Sequence, residues 1–119
     1  MADISMTAAY ASVVEDPDEG FVFIGFAEGE AADEAYVLFR QPLQGGPVWF
    51  ELGDETFGAE AALASVTLTP KGLEIAVRAE MAAKFGFATS VSIGLSKCED
   101  KDEALAALRE MLGPLWQEG

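Results

Sequence analysis

The chain reads as an α+β domain: an antiparallel, meander-like sheet of about six to seven strands, curved, with a short helix and a C-terminal helix packed on one face. Three observations predict this class. Residues 63–95 run strand, tight turn, strand, short helix, strand; seven strand candidates with mostly short links precede the last helix; and Leu105, Leu108 and Leu112 recur at helical spacing. At 119 residues the chain makes a single domain, 1–119, which buries roughly two-thirds of the surface its unfolded form exposes.

Residues 5–14 form a modest strand, in which Thr7, Tyr10, Val13 and Val14 favour extended backbone and small alanines weaken the alternation. Glu15-Asp16-Pro17-Asp18-Glu19-Gly20 is a turn, with Pro17 initiating it and Gly20 closing it; its carboxylates lack the spacing of a calcium loop. Residues 21–26 are apolar everywhere but Gly25, which predicts a central strand wanting cover on both faces. A polar loop from Glu28 to Glu34 leads to residues 36–40, again apolar on both faces, so the pair forms a hairpin with an acidic tip. Residues 41–47 are rich in Pro and Gly and make a loop. Next, Val48, Phe50 and Leu52 alternate with Trp49 and Glu51, so Trp49 points away from the main apolar face. It packs on a neighbouring loop or on the sheet's second face, or else lies exposed at an interface as a hot spot. Residues 53–58 make a turn or lid, and 59–64 either a short helical turn or the irregular start of the next strand.

The alternation then becomes regular. Val66 and Leu68 lead through the turn Pro70-Lys71-Gly72 to Leu73, Ile75 and Val77, a hairpin. Glu80 with Lys84, and Met81 with Phe85, sit four apart ahead of Gly86, which predicts about two turns of helix and a left-handed cap. Phe87, Thr89, Val91, Ile93 and Leu95 alternate with small or polar residues, a strand with one open face. Asp100 and Glu103 have capping-box spacing at the start of a helix that Gly113-Pro114 ends, and the last five residues are too few for another element. A helix about 10 Å wide covers only two or three strands lying about 4.8 Å apart. The remaining apolar surface of residues 21–26 and 36–39 therefore calls for a sheet bent into a half-barrel, or for a second subunit or another protein lying on it.

Charge and composition narrow the function. Seven basic residues against 21 acidic ones leave a formal charge of −14, which opposes nucleic acid and anionic membranes and suits a basic partner. With no histidine, and Cys98 as the only cysteine, neither an intrachain disulfide nor a Cys-based zinc site can be assembled, and the commonest general base is missing. No nucleophile–base pair, metal-ligand spacing or phosphate loop is apparent, so the expectation is a non-enzyme with no cofactor and no metal; a catalyst here would have to run on carboxylates. The N-terminus lacks a basic, apolar export signal, so the expected compartment is the cytoplasm. Cys98, at a helix start, reads as a bystander.

Ala35-Tyr36-Val37-Leu38-Phe39-Arg40, Trp49-Phe50-Glu51, the Phe57-Gly58 step into Ser65-Val66-Thr67-Leu68, Gly72-Leu73-Glu74-Ile75, the short helix closing on Phe85-Gly86, Ser90-Val91-Ser92-Ile93 and Leu105-Ala106-Ala107-Leu108 follow one another in order. This order resembles the tenth immunity-protein class of bacterial polymorphic toxin systems, from about residue 21 to 112. The resemblance implies a small cytoplasmic protein that binds a cognate toxin domain stoichiometrically and neutralises it without turnover. On that reading the surface to test is Trp49 and Phe57 with the acidic loops holding Glu28, Glu30, Asp33 and Glu34 and holding Asp54 and Glu55. The alternative is a homodimeric acidic module with a structural or small-ligand-binding role; monomer and homodimer both remain open.

Overall fold

The computed structural model describes residues 3–29, 34–53 and 56–118. The domain is α+β, but among the described residues its strands number ten and divide between two five-stranded sheets instead of forming one meander. The front sheet has the order β2 (Tyr10–Asp16), β3 (Phe21–Ala27), β4 (Tyr36–Pro42), β5 (Trp49–Leu52), β6 (Gly58–Glu60) and is antiparallel throughout. The back sheet has the order β1 (Ile4–Thr7), β9 (Ser90–Gly94), β8 (Gly72–Val77), β7 (Leu63–Thr69), β10 (Trp116–Glu118). Its two outer strands pair in parallel, β1 with β9 and β10 with β7.

The modest N-terminal strand is two strands. The chain leaves the back sheet after Thr7 and enters the front sheet at Tyr10; Ala8 N–H donates to Gly94 O (3.0 Å) on one sheet and Ala9 N–H to Ala27 O (2.8 Å) on the other. A strand that switches sheets needs a small residue at the corner, and Ala8 is fully buried. The alanines that weaken the alternation are the pivot.

Both sheets turn their apolar sides into one core. In the front sheet Val13, Ile24, Phe39, Phe50 and Ala59 lie in register across all five strands and Phe26 pairs with Val37 beside them, while Val66, Leu73, Ile75, Val91 and Ile93 fill the back. Phe26 meets Phe39 edge-on at 6.4 Å between ring centroids, Phe39 meets Phe50 at 5.2 Å, and Phe50 reaches Phe85 at 5.5 Å. Helix α1 (Lys101–Leu112) buries Ala104, Leu108 and Leu112 and packs against β2 and β3, the span allowed to one helix by its width. The second sheet supplies the rest of the cover, so neither a half-barrel nor a partner is needed for the core face.

Other expectations are corrected locally. Of the two readings of residues 59–64 the helical turn fails and the irregular start of a strand holds: they contain most of β6, a left-handed Ala61 (φ 56°) and the start of β7. The C-terminal tail forms β10, and Trp116, whose indole N–H donates to Glu118 (3.0 Å), packs against the core. Asp100 stands at the N-cap of α1 but is left-handed (φ 61°) and makes no capping hydrogen bond, so the capping box is not formed. The short helix Ala79–Phe85 is 3₁₀, which takes residues four apart off a common face. Glu80 pairs with Arg78 (2.8 Å), while Gly86 caps the helix as expected with φ 65°. Phe87 is left-handed (φ 68°) and 77% exposed, outside β9 and off the apolar face of the strand.

Candidate functional site

The two outward faces differ in chemistry. Across the back sheet Ser5, Ser92, Glu74, Thr67 and Gln117 form a single register row, with Thr7, Thr69, Ser65 and Ser90 on the same side. Ser92 Oγ donates to Glu74 Oε2 (2.6 Å) and Thr67 Oγ1 to Gln117 Oε1 (3.4 Å). That is an ordinary solvated sheet face. The front sheet instead presents the row Val14, Phe23, Arg40, Trp49, Glu60, flanked by Phe21 on one side and by Leu38 and Tyr36 on the other. Val14 and Tyr10 are 52% and 40% exposed. Val14, Phe21, Phe23, Leu38 and Tyr36 thus share one outward sheet face, in contrast to apolar residues exposed singly.

Arg40 and Trp49, opposite one another on β4 and β5, are the centre of this face. The Arg40 guanidinium lies 4.9 Å from the ring centroids of both Phe21 and Trp49, a cation held between two π faces. Phe21 in turn leans on Phe23, centroids 6.1 Å apart. Arg40 makes no ion pair among the described residues, and its buried Nε has no hydrogen-bond partner. It is also the only Lys or Arg before Lys71.

Glu51 locks Trp49 in place. Strand alternation turns it to the outer face, yet it is only 8% exposed. Its Oε1 accepts from the Trp49 indole N–H (3.0 Å) and its Oε2 from the Tyr36 hydroxyl. The indole crosses to β6, where Gly58 pairs with Glu51; a β-carbon at position 58 would stand 2.3 Å from the ring. Two strands and a glycine thus hold the tryptophan in one orientation, with little side-chain entropy left to lose on binding.

The residues expected to form the site fare unevenly. Trp49 lies on the sheet's second face, as one of its three readings had it, and Phe57, next to Gly58 in the chain, is 45% exposed. Glu28 is exposed but its Oε2 accepts from Thr7 N–H (3.1 Å), tying β1 to the end of β3, and Glu34 is exposed beside Gly29. Glu30, Asp33, Asp54 and Glu55 lie outside the described residues. Phe21, Phe23, Tyr36, Arg40 and Glu51 are the additions. The signal for them was present in two strands apolar on both faces and one arginine in the midst of acids.

A concavity of about 370 Å³ lies between the β4–β5 loop, the β6–β7 turn and the end of α1, lined by Val48, Leu63, Met111, Leu112 and Leu115. Its polar groups are already engaged: Gln41 Nε2 donates to Gly46 O (3.0 Å), and Arg78 donates to Glu80 (2.8 Å) and to Ala61 O (3.2 Å). Among the described residues no three His, Cys, Asp or Glu side chains converge to hold a metal ion, and no helix is long and apolar enough to cross a membrane. Comparison with known proteins finds no matching family model, no matching curated protein and no matching solved structure.

Proposed function

We propose that this chain is an immunity-type binding protein that neutralises a cognate bacterial toxin domain by stoichiometric binding in the cytoplasm, without catalysis, and that the outer face of the front sheet is its docking surface. The single observation that carries the docking surface is the row Val14, Phe23, Arg40, Trp49 across a sheet whose core face is already covered. Trp, Tyr and Arg at the centre of a patch, ringed by polar groups, are the residue types that dominate binding energy. The toxin as occupant rests on the sequence resemblance, and the charge of −14 suits a basic one. Asp16 and Glu60 stand at the two ends of the face, on its edge strands. Stacking two copies would bring together two such charges, which disfavours the homodimer.

The test is co-expression with the toxin domain encoded beside this gene. Rescue of growth and a 1:1 complex are expected, with association slowed by salt, since steering between opposite charges is screened beyond about 8–10 Å at physiological ionic strength. No rescue and no complex overturn the proposal.

A further inference from the structure

The docking face contains one charge whose sign is opposite to that of the protein. When a partner covers the row, the Arg40 guanidinium loses its remaining water. Among the described residues no acceptor stands ready to replace it: Glu51, two residues along β5 from Arg40's partner Trp49, binds Trp49 and Tyr36 instead. The Nε is unpartnered even before binding, and a buried cation without an acceptor would oppose the complex. The rings of Phe21 and Trp49 both lie against the guanidinium, so an acceptor has to reach it along its N–H groups.

We infer that the partner presents a carboxylate, an Asp or Glu side chain, to Arg40 at the centre of an otherwise basic contact surface. A carboxylate matches the planar fork of donors in bidentate fashion and neutralises the charge; a backbone carbonyl does neither completely. A phosphate polyanion is disfavoured by the acidic surroundings. The central pair sets register and specificity, because any basic surface is attracted by the charge of −14 but only one with an acid at the right place satisfies Arg40. This inference rests on the docking reading above and deepens it.

The experiment is calorimetric titration of the full chain with the toxin domain encoded beside it, using R40M, R40K and W49A, together with alanine substitution of each Asp and Glu on the toxin surface. R40M keeps the apolar stem between the rings and removes the charge; binding is expected to weaken roughly 30-fold or more, the size of loss seen when one partner of a buried charge pair is truncated. R40K is expected to recover only part, since an ammonium has no fork. One toxin carboxylate should cause a similar loss alone and no further loss when combined with R40M. If R40M binds within threefold of the wild type while W49A does not, the face stands and the inference fails. Loss in R40M without any coupled toxin carboxylate also overturns it. If R40M does not melt as the wild type does, R40K and the toxin-side variants decide. Absence of any wild-type complex overturns the functional proposal and this inference together.

Discussion

The indole of Trp49 lies over Gly58, so close that a β-carbon at position 58 would stand 2.3 Å from the ring. Nothing about the backbone demands glycine here, because Gly58 is not left-handed; the requirement is the room taken by the tryptophan. The substitution G58A therefore tests the seat of Trp49 without backbone strain. It should destabilise the domain by about 1–3 kcal/mol, the usual cost of overpacking, and shift the tryptophan emission. Chemical denaturation followed by fluorescence reads both.

Glu51 is the second support of that seat. Both its oxygens accept hydrogen bonds, from Trp49 (3.0 Å) and from Tyr36. In E51L both acceptors are lost, which leaves the Trp49 indole N–H without its partner. A loss of about 1–3 kcal/mol, the cost of a buried unsatisfied polar group, is expected in urea denaturation, with Trp49 more mobile in NMR relaxation.

Periodicity made the strands legible and left their partners open. The hairpin of β7 and β8, the Ser90–Gly94 part of the strand expected over 87–95, and the helix α1 fall where alternation and the Leu105, Leu108, Leu112 stripe place them. The split into two sheets was hidden because its cause is a corner at Ala8 and Ala9, two small residues that read as weak strand. Parallel pairing of β1 and β10 joins the chain ends to distant strands, and no local pattern encodes that. In the site, the second-face position of Trp49 followed from alternation. Glu51 was missed because a glutamate alternating with apolar residues reads as solvated, and only the register shows it between the Tyr36 hydroxyl and the indole.

The N-terminal edge of the back sheet should depend on pH. Asp3 accepts from Thr89 N–H (2.8 Å) and from the Thr89 hydroxyl (3.1 Å), and these bonds hold its carboxyl below the ordinary 3.8. A carboxyl lowered on folding stabilises fully above its unfolded pKa and ceases to do so as pH falls through its folded one. Protection of the β1 amides from exchange, corrected for intrinsic rate, should therefore drop as the pH is lowered below about 4. In D3N that drop should disappear.

Cys98 should be chemically quiet. The side chain is buried, and burial pushes the thiol pKa up, outweighing the nearby Lys101. Since the folded state holds the proton more tightly, the thiolate forms less readily in the folded chain than in the unfolded one. Alkylation by iodoacetamide at pH 8 is expected to be slow in buffer and fast in urea, with quantitation by mass spectrometry.

The outer face of the front sheet, and not the Ser/Thr face of the back sheet, is the surface proposed to meet the partner. Affinity for the toxin domain proposed as partner, measured for W49A and for T67A at a temperature where both are folded, decides between the two faces. W49A is expected to lose roughly 2 kcal/mol or more of binding free energy, as a hot-spot tryptophan does, and T67A to bind as the wild type. Wild-type affinity in W49A, or an equal loss in T67A, would contradict the proposal.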